Sequence, residues 1–149
     1  MITFCPSSTM EDIPKLLDDK RLGGQRTEAW SILKWLRDPD KHKSLVAAGY
    51  CQMWKGYECA LVKYLNLVLL EWSRRGYKNV TLRPYDPAKG LDCTSEPAMP
   101  PWWGDGRIHG YHRHALVSKL PQHYGRFGWL EDGGEYNGSY PWPREVEGR

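Results

Sequence analysis

A mostly α-helical single domain is what this sequence predicts, and three observations predict it. Ala29, Ile32, Leu33 and Leu36 recur at i, i+3, i+4 and i+7, the stripe of a helix facing a core. Residues 60–72 are apolar around nearly the whole helical circumference. A third segment, 105–120, opens on a capping Asp105 and is stopped by Pro121. The expected architecture is three main helices with long loops, residues 1–130 forming the helical domain. Residues 131–149 form an acidic tail rich in Pro, Gly and aromatic residues, packed on it.

Taken in order, residues 3–9 read as a loop. Thr9 is placed to cap a first helix, with Glu11 and Asp12 in its first turn. Leu16, Leu17 and Leu22 continue an apolar face, Gly23-Gly24 interrupts it, and a stronger helix runs on to about Leu36. It ends at Arg37-Asp38-Pro39-Asp40, because the residue before proline is biased away from helix. Residues 45–76 are the strongest helical region, with candidate breaks at Gly49 and Gly56 and a polar stripe at Lys63, Asn66 and Glu71. Arg74-Arg75-Gly76 is a good stop. Residues 77–104 are loop-rich, with a short extended piece at Val80-Thr81-Leu82.

Composition narrows the function. The chain of 149 residues is 40% hydrophobic and 26% charged, so it can bury a core and is not a disordered polyelectrolyte. Its apolar stretch of residues 60–72 is too short and too polar to span a bilayer. The opening MITFCPSST has no basic region followed by an apolar one, so no secretory signal is expected. Residues 1–130 hold 19 Lys/Arg against 13 Asp/Glu, whereas the last 19 residues hold 2 against 5. A basic body suits a polyanionic partner; it also suits an ordinary solvated surface. The four cysteines, Cys5, Cys51, Cys59 and Cys93, show no C-x-x-C pair and no zinc-finger histidines. They read as thiols of a protein in a reducing, intracellular compartment, with Cys51 and Cys59 in the core.

Two clusters carry candidate chemistry. On one helix, Arg21, Gln25 and Glu28 lie at i, i+4 and i+7 and share a face. A carboxylate between a cation and an amide suits acid/base work; an exposed Arg–Glu ion pair is the plainer alternative. Gly23-Gly24 beside it either ends a helix or admits close approach of another backbone, DNA being one candidate. The second cluster holds His109, His112, Arg113 and His114, followed by Lys119, His123 and Tyr124. With only Asp105 as an accompanying acid, phosphate contacts fit it better than a metal, and no metal or cofactor is expected.

These motifs resemble the pyrimidine-dimer DNA glycosylase family, typified by phage endonuclease V. Asp19, Leu22 and Glu28 match the family's D-x-x-L-x-x-x-x-x-E pattern, and Ala48-Gly49-Tyr50 through Arg75-Gly76-Tyr77 aligns with its A-G-H to R-G-F stretch. An uncharacterised bacterial branch is more similar still. It is matched by Thr3-Phe4-Cys5-Pro6, Leu17 to Ala29, Met53 to Leu61, Pro100 to Asp105, His109 to Leu116 and Pro121-Gln122-His123-Tyr124, over roughly residues 1–124. Arg21 stands where the family has a histidine, and Thr27 where it has an arginine.

The resemblance implies a small all-α DNA repair enzyme, monomeric and without cofactor. It would act on duplex DNA as a glycosylase and then as a lyase at the abasic site. The amine at the chain's start forms a Schiff base at C1′ while Glu28 moves protons and an extruded base makes room. Ile2 is too bulky for removal of the methionine before it, so the implied nucleophile is the Met1 amine. Arg21, Gln25, Arg26, His109, His112, Arg113, Lys119 and Tyr124 are the expected DNA or cleft contacts. A non-catalytic DNA-binding or packaging protein on the same scaffold is the alternative.

Overall fold

The computed structural model describes residues 2–83, 85–131 and 140–143, and of Tyr85 the backbone only. Met1 and most of the acidic tail therefore lie outside the described residues. Among those described there is helix and no strand: α1 (Ile13–Leu16), α2 (Asp19–Arg37), α3 (Lys43–Val46), α4 (Gly49–Gln52), α5 (Glu58–Arg74), α6 (Tyr85–Ala88), α7 (Gly106–Lys119) and α8 (Pro121–Tyr124). Short 3₁₀ turns precede α1 and follow α8. No described helix is long and apolar enough to cross a membrane.

The long helices α2 and α5 form the main packing contact. The stripe Ala29, Ile32, Leu33 and Leu36 is buried, facing a core that includes Leu61, Tyr64, Leu65 and Val68 from α5. Each aliphatic side chain removed from water this way contributes about 1.5–3 kcal/mol. The α5 helix ends as expected, with Gly76 at φ +96° beyond Arg74 and Arg75. Likewise α7 is capped by Asp105, whose carboxylate accepts from the Arg107 N–H at 2.9 Å.

The structure corrects several expectations. α2 runs unbroken through Gly23-Gly24. A Cβ on Gly23 would lie 2.9 Å from the Trp72 ring, so this glycine admits an indole of α5's last turn and not a chain break. Both glycine breaks around 45–76 are real, the second at Gly56 with φ +85°. Thr9 precedes the 3₁₀ turn without a side-chain cap bond. Residues 80–82 form a bend, not an extended strand.

Glu71, expected on a polar stripe, is only 4% exposed. Arg74 Nε donates to it at 2.7 Å and Arg75 Nε at 3.2 Å. Arg75 reaches on to Asp19 and to the Pro14 carbonyl, joining the end of α5 to α1 and α2. The hydrogen bond from Arg74 holds the Glu71 carboxyl below its ordinary value.

The cysteine reading is corrected as well. Cys59 and Cys93 form a disulfide across 34 positions, pinning the 77–104 loop to the first turn of α5. Cys59 is half-buried rather than core. Cys5 and Cys51 are free and buried, and burial pushes both thiols up, to about 12 for Cys51.

The feature that positions the site is the segment Ile2–Pro6, an irregular strand of chain running through the interior. Thr3, Phe4, Cys5 and Pro6 are all buried. Backbone polar groups without secondary structure need partners when buried, and here side chains supply them. His112 Nδ1 accepts from the Cys5 N–H at 2.7 Å, and His109 Nδ1 donates to the Cys5 carbonyl at 2.7 Å. The Gly104 N–H donates to His109 Nε2, which fixes that tautomer. Tyr140 stacks on His112 at 5.5 Å, and Trp142 covers Gly49.

Candidate functional site

The helix carrying Glu28 continues through the two glycines, so Arg21, Gln25 and Glu28 do share a face. They line a cleft of about 300 Å³ together with Ile2 and Phe4 from the buried segment. Lys20 and Gly24 of α2 and Lys119 from the last turn of α7 complete its rim. Three cations thus surround one carboxylate.

Glu28 is half-buried, and its Oε1 is fully buried with no hydrogen-bond partner among the described residues. Burial disfavours the charged form and pushes its pKa up to about 7. The alternative of an Arg–Glu ion pair does not form, because Arg21 pairs with Asp18 at 3.4 Å instead. A carboxyl poised near neutrality is equally able to give and to take a proton, the condition general acid–base work requires. Among the described residues Gly24 has no neighbour within 4 Å of where a Cβ would stand, so the cleft wall there is bare backbone.

Gln25 is 5% exposed and does not face solvent as a phosphate ligand. Its Oε1 accepts from the Phe4 N–H at 2.9 Å and from the Tyr64 hydroxyl at 2.7 Å, and its Nε2 donates to the Ile2 carbonyl at 3.0 Å. The remaining expected contacts divide. Lys119 is exposed in the cleft.

Arg26 points to another face. It lies 4.2 Å over the Trp72 ring and donates to Asn79 at 3.0 Å. His109, His112 and Tyr124 are buried at 3%, 0% and 0% exposure. They are therefore corrected from phosphate contacts to interior hydrogen-bonding groups, the Tyr124 hydroxyl being engaged by Asp18. Arg113 is held by Glu131 at 2.7 Å and by the Pro6 carbonyl at 3.0 Å. It borders a larger hollow of about 650 Å³ that shares no lining residue with the Glu28 cleft. Met1 lies outside the described residues.

Lys20, Ile2 and Phe4 are not among the cleft residues expected from sequence, whereas Gly24 is marked there as a point of close approach. Residues 20, 24 and 28 sit at i, i+4 and i+8, a spacing that was available to find Lys20. Nothing local marks the other two. Among the described residues no three His, Cys, Asp or Glu side chains converge on a point that could hold a metal ion.

The decisive comparison is with a family profile described as pyrimidine dimer DNA glycosylase, which matches residues 1–84. The chain belongs to the pyrimidine dimer DNA glycosylase family. The matched region holds the buried segment, α2 with Glu28, and α5, whereas α7 and Lys119 fall beyond it. No curated protein and no solved structure matches the chain. The family acts on DNA, and the cationic rim around a single carboxylate is compatible with such a polyanion.

Proposed function

We propose that this protein is a DNA glycosylase with abasic-site lyase activity, acting on damaged or modified pyrimidines in duplex DNA. The observation that carries the reading is Glu28: a carboxyl held near pH 7 by burial, one oxygen unpartnered among the described residues, in a cleft bordered by Lys20, Arg21 and Lys119. Ile2 lines that same cleft, so the amine one peptide unit before it is the candidate nucleophile. An α-amine has a pKa near 8 and is partly neutral at pH 7, unlike a lysine.

In this reading the neutral amine attacks C1′ of the damaged nucleotide, losing a proton as the base departs with the glycosidic electron pair and is protonated. The C1′–O4′ bond then breaks, protonated Glu28 giving its proton to O4′, and the nitrogen lone pair forms the C1′=N bond. The resulting iminium is stabilised by ionised Glu28, which then takes a proton from C2′, and the 3′ phosphate leaves. Lys20, Arg21 and Lys119 hold flanking phosphates. No metal or cofactor enters these steps.

The test is incubation with duplex carrying one abasic site in the presence of borohydride. A covalent protein–DNA adduct that is lost on acetylating the amino terminus supports the Schiff base. Glu28→Gln is expected to slow strand cleavage about 10²–10⁴-fold while leaving duplex affinity nearly unchanged. Wild-type cleavage rates in Glu28→Gln would reduce Glu28 to a helix-face residue.

A further inference from the structure

Gln25 is a costly residue to bury. A leucine of similar size would pack the core without any risk of unpaired amide groups, and a half-satisfied polar network is worse than an apolar one. Here the amide is satisfied on both ends and at both atoms. Its partners are not scattered. They are the Ile2 carbonyl and the Phe4 N–H, the groups on either side of Thr3. Trp54 Nε1 donates to the Thr3 hydroxyl at 2.9 Å, between those two grips. The Tyr64 hydroxyl, shared between the Phe4 carbonyl and Gln25 Oε1, closes the arrangement from α5.

Apolar burial alone would hold this segment in the core but would tolerate sliding along its length. Directional bonds to these two backbone groups do not, because a slip of one residue carries both out of hydrogen-bond geometry. Gln25 stands three positions before Glu28 on α2, so a rigid helical turn of about 4.5 Å rise separates the grip from the carboxyl.

We infer that Gln25 is a positioning residue, whose amide fixes the register of the Ile2–Phe4 segment and so sets the reach of the chain's amine relative to Glu28. This role rests on the amine reading above. It differs from the DNA contact expected of Gln25 from sequence, since the side chain touches protein on all its polar atoms. Preorganisation of this kind acts on rate: a misplacement of about 1 Å of a reacting group costs about 10²-fold.

The experiment is single-turnover borohydride trapping of the full chain at saturating abasic duplex, with duplex affinity measured alongside. Gln25→Leu keeps the volume and removes both grips. It is expected to lower the trapping rate constant about 10²-fold with duplex affinity within about threefold of wild type. A purely structural role would reduce the amplitude of trapping, by lowering the folded fraction, and leave the rate constant alone; that result overturns the proposal.

Gln25→Glu covers the case in which the leucine variant does not fold. A protonated glutamic acid offers the same donor to the Ile2 carbonyl and the same acceptor to Phe4, whereas the ionised form lacks the donor. Its trapping rate relative to wild type is expected to recover towards acid pH and fall towards alkaline pH. A pH-independent ratio overturns the proposal. If wild type itself gives no adduct, the amine reading fails and this role fails with it. An adduct in wild type with unaltered rates in both variants refutes the positioning role alone.

Discussion

His112 makes the acid stability of this fold testable at one side chain. It is fully buried, accepts from the Cys5 N–H through Nδ1 and bonds the Tyr140 hydroxyl through Nε2 at 2.8 Å. Burial is the main force holding it neutral, and it pushes the pKa from 6.5 down to about 3. Above pH 6.5 the ring is neutral in both folded and unfolded chains, so its contribution is intact there. As pH falls below 6.5 the unfolded chain takes up a proton that the folded chain refuses, and stability is lost down to about pH 3. Between pH 7 and pH 5 that linkage amounts to about 2 kcal/mol.

Gln at position 112 offers an acceptor and a donor in one side chain and does not titrate. Urea unfolding of wild type and His112→Gln, followed by tryptophan fluorescence at both pH values, isolates the term. The static cost of the substitution is common to both pH values and cancels. His109, lowered chiefly by burial, acts in the same direction as His112, whereas Glu28, raised by burial, acts in the opposite one; both remain in the variant. The variant should therefore lose about 2 kcal/mol less than wild type on acidification from pH 7 to pH 5. Equal losses in the two proteins would mean that His112 is not the buried neutral group described.

Further expectations follow from the same contacts. Cys93→Ser opens the 34-position closure and should lower stability in oxidising buffer by about 3–4 kcal/mol, with no difference from wild type once both are reduced. Gly24→Ala meets no described neighbour and should stabilise α2 by about 0.5–1 kcal/mol, read by thermal unfolding, while weakening duplex binding by crowding the bare cleft wall. Gly23→Ala drives a methyl into the Trp72 ring and should show no such gain. Lys119→Ala should reduce the slope of log affinity against log salt by about one, for all duplex sequences alike. Arg26→Ala, which strips the Trp72 stack, should show up in unfolding instead.

What could be read from sequence was local. The buried stripe from Ala29 to Leu36 follows from periodicity alone, and Asp105 before α7 from cap chemistry. Glu28 stood out because its helix face is set by spacing and its family pattern by position. Most of the misreadings concern partners far along the chain. Gly23-Gly24 looks like a break until Trp72, about fifty positions on, is seen filling the space. The histidines of α7 look like phosphate ligands because three basic rings in six residues suggest a surface. The partner of His109 and His112, the Cys5 peptide, is more than a hundred positions away. Glu71 looks solvent-facing until two arginines from the following turn fold back over it. The pairing of Cys59 with Cys93 depends on how the intervening loop returns, which no local pattern encodes.

The clamps on the Ile2–Pro6 segment also order events during synthesis. Cys5 is gripped by His109 and His112, 104 and 107 positions later. At about 5–20 residues added per second, that interval lasts about 5–20 s on the ribosome. This segment, translated well before α7, is thus seated late, and until then it is open to whatever acts on nascent chains. Once α7 closes over it, Thr3 and Cys5 are sealed in the interior. Any covalent change to that stretch therefore has to be made early.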